Sequence, residues 1–244
     1  MKCLVLAAGY ATRLYPLTKD TPKPLLEISG KPLLEHILLK VEEIKDIDEI
    51  YIVTNDKFYQ NFLEWNNNFK SNIKIKIIND NTKSNDDRLG AIGDINFTIK
   101  NESINDDLLI VAGDNLFEFN LTNLHDFFKS KNSSVVALYD IINKDIAANK
   151  LGVVSLDHNN TIIELQEKPA QPKTSIISTA CYIIHKNHIE LFEKCLEDKN
   201  KPDNIGEFIS WISSKQKVYG KIFSEAWFDI GSLDQLEKAR LKFK

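Results

Sequence analysis

The chain has 244 residues, 43% of them apolar, and a formal net charge of −4 with both signs spread along its length. This composition supports a large hydrophobic core, and it argues against a basic surface for nucleic acid or membrane binding. No apolar run reaches the roughly 20 residues that cross a bilayer, and the start MKCLVLAAG lacks the pattern of a signal peptide. The irregularly spaced Cys3, Cys181 and Cys195 indicate buried thiols in a reducing compartment, so we expect a cytoplasmic protein.

The first half of the chain alternates strand patterns with helical patterns. Apolar runs predict strands at residues 3–8, 50–54, 73–78 and 108–112. Apolar residues at helical spacing predict helices at 32–44, at 57–69 and from Leu89 into the nineties. This alternation predicts a parallel sheet covered on both faces, with ligands bound at the carboxyl ends of its strands.

The second half is richer in short strands joined by turns. Strand patterns occur at 134–139, 152–156, 161–166, 176–184, 218–223 and 226–230, and helical patterns at 121–130, 189–196, 205–213 and 233–243. The turn-rich joins DHNN and KPAQPK predict a small mixed or antiparallel subregion between 152 and 184. No repeat and no Gly/Ser-rich linker interrupts the sequence, so we predict a single domain over 1–244.

The loop after the first predicted strand has an unusual composition. Gly9 permits a backbone turn at the carboxyl end of that strand, and Thr12, Arg13 and Thr18 then offer hydroxyls and a guanidinium over the sheet edge. Lys23 lies between two prolines, which hold its backbone stiff. Backbone N–H groups of such a loop can surround phosphate oxygens. The alternative is a surface loop with solvated charges, but the convergence of residue types favours a ligand that carries several negative charges.

The same segment resembles a known family signature. LAAGYATRLYPLT and TPKPLLEISGKPLLEHIL, within residues 6–39, resemble the sugar nucleotidyltransferases, the enzymes that make nucleotide sugars. Ala11 stands where the family usually has a second glycine. The resemblance implies a Rossmann-like α/β fold, with a mostly parallel central sheet, helices on both faces and a small antiparallel substrate-side subregion. It also implies that residues 1–120 bind mainly the nucleotide and residues 121–244 mainly the sugar phosphate.

Two aspartates are candidates for a metal site. Asp114 follows the apolar run LLIVAGD, where a strand's carboxyl end meets the ligand, and Asp229 follows a short apolar run in AWFDIGS. An ordinary strand-to-loop turn would also accommodate each aspartate. The family carries metal-binding aspartates in Gly-Asp-Asn and Trp-x-Asp-x-Gly contexts like these, so the resemblance implies Mg²⁺ held by Asp114 and Asp229.

The resemblance assigns the remaining roles residue by residue. In the implied reaction a sugar 1-phosphate oxygen attacks the α-phosphorus of a nucleoside triphosphate and pyrophosphate leaves, which needs alignment and charge cancellation. The predicted catalytic residues are Arg13, Lys23 and Asp114. The predicted nucleotide-binding residues are Leu6, Ala7, Ala8, Gly9, Thr12, Arg13, Lys23, Arg88, Gly90 and Asp114. The predicted sugar-phosphate-binding residues are Asn115, Gly152, and Glu167 and Lys168 of the Glu-Lys-Pro motif.

The segment DDRLGAIGD departs from the family pattern. The family usually has a glycine-rich step here that surrounds base and ribose, and Gly90 and Gly93 could serve that role. Arg88 either reaches the base edge or a phosphate, or it pairs with Asp86 or Asp87 near a helix start. This segment does not identify the base.

A second departure lies in EDKNKPDNIGEFISWI. Relatives often carry an arginine there that helps to hold the sugar phosphate, whereas this segment has none. Lys199 or Lys201 is the candidate replacement.

Two other functions stay open. One is a cytidylyltransferase that acts on a non-sugar phosphate such as phosphocholine. The other is a non-catalytic regulatory protein that binds a nucleotide sugar. The expected partners are a nucleoside triphosphate and a sugar 1-phosphate, with no nucleic acid or membrane and with a homo-oligomer as a further possibility.

Overall fold

The structure, a computed structural model, describes residues 1–198 and 202–243. Its strands are β1 (Lys2–Leu6), β2 (Glu27–Ile28), β3 (Lys31–Pro32), β4 (Glu49–Thr54), β5 (Lys74–Asn79), β6 (Leu108–Ala112), β7 (Asn115–Phe117), β8 (Val135–Asp140), β9 (Val153–Leu156), β10 (Ile162–Gln166), β11 (Ile176–Ile184), β12 (Tyr219–Phe223) and β13 (Trp227–Asp229). Its helices are α1 (Leu33–Val41), α2 (Tyr59–Asn68), α3 (Gly90–Glu102), α4 (Leu121–Lys131), α5 (Leu191–Asp198), α6 (Ile205–Ser213) and α7 (Leu233–Lys242).

Four parallel strands build the first part of the sheet, in the order β5-β4-β1-β6. The pairing is in register, so that Cys3 of β1 lies between Ile50 of β4 and Leu109 of β6. The chain runs outward from β1 to β4 and β5 and then returns to β6 on the other side of β1. This reversal leaves a crevice at the carboxyl ends of β1 and β6, which is where open α/β sheets bind their ligands.

The antiparallel part continues the same sheet. β11 pairs antiparallel with β6 on one side and with β8 on the other, and β9 and β10 extend from its first half. The β11–β8 register shifts between Ser178 and Tyr182, and Ala180 within this bulge has a φ of +56°. The predicted fold class, a parallel sheet with an antiparallel subregion, is therefore confirmed, with the subregion joined to the central sheet through β11.

Helices cover both faces of the sheet, as predicted. Cys3 and Val5 point to the face that α1, α2 and α4 cover, whereas Leu4 points to the face that α3, α5 and α6 cover. This alternation follows from the two-residue period of a strand, and apolar residues at every position are typical of a strand buried on both faces. Within the described part of the chain, no helix is long and apolar enough to cross a membrane.

Two small strand pairs were not predicted. β2 pairs with β3, so Pro32 belongs to a strand and α1 begins at Leu33 rather than at the predicted residue 32. β7 pairs with β13, the strand predicted at 226–230. A third apolar cluster joins these pairs to the opening loop and α7, with Leu14, Leu116 and Leu236 among its buried members.

Candidate active site

A cavity of about 700 Å³ opens at the carboxyl ends of β1 and β6. The residues to which the sequence analysis assigned catalytic, binding or metal roles line it: Leu6, Ala7, Ala8, Gly9, Thr12, Arg13, Lys23, Arg88, Gly90, Asp114, Asn115, Gly152, Glu167, Lys168 and Asp229. Gly93, the second glycine expected near base and ribose, does not line the cavity. Residues from both halves of the chain thus meet around one space. The individual roles assigned to them stay predictions.

The opening loop forms part of the cavity wall through two short 3₁₀ turns, Thr12–Leu14 and Lys23–Leu25. Ala11 has a φ of +46°, and its carbonyl accepts hydrogen bonds from Leu14 N at 3.0 Å and Thr18 Oγ1 at 2.7 Å. The expectation that Thr18 offers its hydroxyl over the sheet edge was wrong. Thr18 is fully buried and its hydroxyl closes the loop, because the turn at Ala11 needs its carbonyl satisfied.

Lys23 and Asp114 form a direct ion pair in the cavity wall. Lys23 Nζ donates to Asp114 Oδ2 at 2.7 Å. The lysine is 9% exposed, and Pro22 and Pro24 restrict the backbone on either side of it. A preorganised ammonium in this position can stabilise anionic charge without reorganising.

Strand pairing brings the second aspartate to the first. In the β13–β7 pair Asp229 lies opposite Asn115, and Ile230 N donates to the carbonyl of Asp114 at 3.3 Å. Burial raises the pKa of Asp229, and the neighbouring Asp114 carboxylate raises it further. Lys23, Lys168 and Arg13 act in the opposite direction on the same pKa.

This pair of carboxylates suits a magnesium ion. Two like charges in a partly buried site repel each other, and a divalent cation would remove that cost. Mg²⁺ is usually bound through one or two carboxylates, with phosphate oxygens and water completing its shell. Among the described residues, no group of three or more His, Cys, Asp or Glu could hold a metal by itself. The donor set therefore fits Mg²⁺ bound together with a phosphate ligand.

Asn115 connects the centre of the cavity to the bulge in β11. It is 2% exposed, its Nδ2 donates to Thr179 O at 2.5 Å, and Thr179 Oγ1 in turn donates to Ala137 O at 2.9 Å. The amide nitrogen that the sequence predicts for sugar-phosphate binding is thus engaged with the backbone of β11. Its bond holds the β6–β7 turn, and with it Asp114, against the antiparallel part of the sheet.

Glu167 and Lys168 line the end of the cavity formed by the second half of the chain. Burial raises the pKa of Glu167, and the Lys168 charge lowers it. Glu167 fits against two glycines, since a Cβ on Gly206 would lie 1.6 Å from its Oε1 and one on Gly152 would lie 3.0 Å away. Lys168 has a φ of +46°, and its N–H donates to Leu151 O at 3.2 Å. Such a strained backbone at a non-glycine residue is typical of ligand sites.

Arg88 also lines the cavity and bridges the two halves of the chain. Its Nη2 contacts Asp203 Oδ2 at 2.7 Å and its Nη1 donates to Asn85 Oδ1 at 3.1 Å. The predicted alternative partners Asp86 and Asp87 were wrong. Asp87 instead accepts hydrogen bonds from the backbone of its own loop, and Arg88 reaches Asp203 just before α6.

Several cavity residues escaped the sequence analysis. They are Tyr10, Asp94, Lys150, Ser178, Tyr182, Asp203 and Gly206, among others. A usable signal existed for Asp94, a charged residue between the apolar Ile92 and Ile95 of a helix. Lys150 supplies a further cation to the cavity, whereas the proposed substitutes Lys199 and Lys201 lie outside the described residues.

Sequence comparison finds relatives over nearly the whole chain. A family model described as nucleotidyl transferase matches residues 2–244. The bifunctional protein GlmU of Methanocaldococcus jannaschii is 33% identical over 231 residues, which cover 95% of this chain and 51% of that protein. The protein of the same name from Methanococcus aeolicus is 30% identical over 232 residues, which cover 95% of this chain and 51% of that protein. The chain spans about half the length of the curated relatives it matches.

Solved structures share the fold. A Bacillus anthracis protein described as a glucose-1-phosphate thymidylyltransferase superposes with a TM-score of 0.83 at 24% identity, over 99% of this chain and 94% of that one. A UDP-glucose pyrophosphorylase complexed with UDP-glucose gives a TM-score of 0.83 at 20% identity, over 99% of this chain and 97% of that one. At these identities the likeness establishes the shared α/β architecture.

Proposed function

The chain belongs to the nucleotidyl transferase family, and from this premise we propose that it joins a nucleoside triphosphate to a sugar 1-phosphate and releases pyrophosphate. The observation that carries the proposal is the meeting of Lys23, Asp114 and Asp229 in one cavity, with Lys168 among the cations near them. The names of the relatives and of the solved structures, which include sugar-phosphate nucleotidyltransferases, support the substrate class.

The chemistry needs two anionic substrates to approach each other. A sugar-phosphate oxygen forms a bond to the α-phosphorus while the bond from that phosphorus to the pyrophosphate oxygen breaks. Lys23 and Arg13 are the residues we assign to the charge on the triphosphate. Arg13 is exposed in the cavity and makes no ion pair with any described residue, so its guanidinium is free to bind phosphate in a bidentate manner.

Asp114 and Asp229 are the residues that would hold Mg²⁺. When bound, the ion would neutralise phosphate charge, as metal ions do in other phosphoryl transfers. The 2.7 Å ion pair with Asp114 holds the Lys23 ammonium beside the residues that would bind the ion, within reach of a phosphate bound there.

Lys168 and Glu167 are the residues we assign to the second substrate. The ammonium of Lys168 would bind the sugar phosphate, and the Glu167 carboxylate would accept hydrogen bonds from sugar hydroxyls. Gly152 and Gly206 leave the space that this carboxylate occupies. Lys150 on the same wall offers a further positive charge, which compensates for the absence of an arginine in EDKNKPDNIGEFISWI.

A substrate matrix tests the proposal. Five nucleoside triphosphates are each combined with about a dozen sugar phosphates and with phosphocholine, and pyrophosphate release is measured with Mg²⁺ and with EDTA. We expect release with one sugar 1-phosphate class, dependent on Mg²⁺ and reduced in Lys23→Ala and Asp114→Ala. Near wild-type turnover in both variants would overturn the assignment of the site. Pyrophosphate release with phosphocholine alone would overturn the proposal that the second substrate is a sugar phosphate. Binding of a nucleotide sugar without pyrophosphate release in any combination would favour a non-catalytic regulatory function.

A further inference from the structure

Asp94 is a buried acid in the cavity wall that the proposed chemistry does not use. It lies in the first half of α3, it is 7% exposed, and it lines the cavity together with Tyr10, Arg88 and Gly90. Its Oδ1 is completely buried and has no hydrogen-bond donor among the described residues. A carboxyl group in this setting is costly unless it carries a proton or meets a ligand.

A second buried acid, Asp80, faces it. Asp80 Oδ1 accepts hydrogen bonds from Thr82 N at 2.7 Å and from Thr82 Oγ1 at 2.8 Å, while its Oδ2 is buried and has no donor in the described chain. The Asp80 and Asp94 side chains are within hydrogen-bonding contact. Two carboxyl groups can make such a contact only if they share a proton.

The shared proton belongs mainly to Asp94. The pKa of Asp94 is raised to about 8, mainly by burial. The neighbouring charges of Asp80 and, to a smaller extent, Asp203 add to this rise. Burial also raises the pKa of Asp80, but the two hydrogen bonds from Thr82 and the contact with Asp94 favour its ionised form. At neutral pH Asp94 is therefore a carboxylic acid whose proton points to Asp80.

The same network reaches the opening loop. Tyr10 Oη and Thr82 Oγ1 are 3.5 Å apart, and the Thr82 hydrogen is already given to Asp80, so Tyr10 is the donor of that contact. Tyr10 thus donates to Thr82, Thr82 donates to Asp80, and Asp94 donates to Asp80, so each O–H group of the network already has an acceptor within it. The Asp94 carboxyl group therefore has no hydrogen left for a ligand in the cavity. Its remaining lone pairs can only accept a hydrogen bond from that ligand.

We propose that Asp94 contacts the nucleobase and selects it, as a neutral acid that donates its proton to Asp80 and accepts an N–H from the edge of the base. This rests on the proposed function, which puts the triphosphate at the Lys23–Asp114 end of the cavity. The base would then lie toward Tyr10 and Gly90. An acceptor oxygen on Asp94 binds an amino or imino group there, and it disfavours a base that presents only an acceptor at that position.

Binding measurements separate this role from a structural one. Affinities for five nucleoside triphosphates and for inorganic tripolyphosphate, which has no base, are measured by calorimetry at pH 7. In Asp94→Ala we expect the preferred nucleotide to bind about tenfold more weakly, as for one lost hydrogen bond, with tripolyphosphate affinity unchanged. In Asp94→Asn, whose amide donates to Asp80 and still presents a carbonyl, we expect the preference to persist. Asp86→Asn, an exposed substitution in the loop that precedes α3, is the control.

Each outcome of these binding measurements either supports or overturns the role of Asp94 in selecting the base. The preference of the wild type should fall to within about threefold between nucleotides in Asp94→Ala. An equal loss of tripolyphosphate binding in Asp94→Ala, an unchanged preference in that variant, or no preference in the wild type would each overturn the role of Asp94. A wild type that releases pyrophosphate but fails these tests leaves the proposed function standing, so the two failures are distinguishable.

Discussion

Asp229 lies opposite Asn115 in the β13–β7 pair, and this one register position brings two aspartates that are far apart in the sequence into the same cavity. Asn115 is itself tied to the bulge in β11 through Thr179. The position of Asp114 therefore depends on two strands from the second half of the chain. Electrostatic repulsion between Asp114 and Asp229 is the cost of this arrangement.

The first prediction concerns that cost. Replacing Asp229 by Asn removes a buried charge that Asp114 repels, so we expect the metal-free protein to become more stable by about 1 kcal/mol, or about 2–4 °C in Tm. We expect turnover to fall at least on the order of 10²-fold, because the proposed metal site is lost. Thermal melts in EDTA and in Mg²⁺ check both points. Asp126→Asn, at an exposed residue in the middle of α4, should leave Tm and its response to Mg²⁺ unchanged, and a destabilised Asp229→Asn would contradict the account.

The second prediction concerns Lys23. Its ammonium is preorganised by two prolines and by Asp114, so Lys23→Ala should lower kcat by about 10²–10³, the usual loss for a group of this kind. Lys19→Ala removes an exposed cation from the same loop, and kcat should stay within about twofold of wild type. Steady-state kinetics on the substrate pair identified by the matrix measure both. Equal losses in the two variants would mean that only the overall charge of the loop matters.

Local pattern was enough to predict most of the architecture. The alternation of apolar runs and helical spacing predicted the parallel sheet, because each strand buried on both faces must be apolar at nearly every position. The family-like segments at 6–39 and around Asp114 and Asp229 predicted residues that the fold brings to one cavity. Each of these signals is contained in a short window of sequence.

What the sequence did not predict depends on contacts between distant segments. β7 is three residues long and exists because β13 lies beside it, so its own window carries no strand signal. The partner of Arg88 is Asp203, and the acid that faces Asp94 is Asp80. A charged residue in a short stretch of sequence does not reveal which distant charge it contacts. For this reason the ion-pair alternative for Arg88 named only Asp86 and Asp87, its neighbours in the sequence.

The third prediction uses the contact between Gly206 and Glu167. An alanine at Gly206 would place its Cβ 1.6 Å from Glu167 Oε1, and the flexible glutamate side chain rather than the backbone should move. We expect the KM for the sugar phosphate to rise by about 10–100-fold, as for a lost charge-assisted hydrogen bond, with nucleotide KM unchanged. The double variant Gly206→Ala/Glu167→Ala should lose no more than Glu167→Ala alone. Additive losses would show that Gly206 acts independently of Glu167.

The fourth prediction is a pH dependence of stability. The pKa of Asp94 is about 8 in the fold and 3.8 ordinarily, so between these values the folded chain holds a proton that the unfolded chain has lost. Stability should therefore fall as pH rises through this window, by about 1.4 kcal/mol per pH unit from this group, and it should change no further above pH 8. Urea unfolding from pH 5 to 9 should show a shallower decline in Asp94→Asn than in wild type. Parallel curves would mean that Asp94 does not hold the proton.

The fifth prediction concerns Ala11, the residue that replaces the second glycine of the family pattern. Its φ of +46° costs an alanine about 1–2 kcal/mol, whereas a glycine costs about 0.4–1 kcal/mol through the entropy of the unfolded chain. Ala11→Gly should therefore stabilise the fold by about 0.5–1 kcal/mol. Ala148→Gly, at an ordinary φ of −54°, should instead destabilise it. Urea unfolding measures the free energy of unfolding of both variants. A destabilised Ala11→Gly would mean that the contacts of the Ala11 methyl group stabilise the loop by more than its positive φ destabilises it.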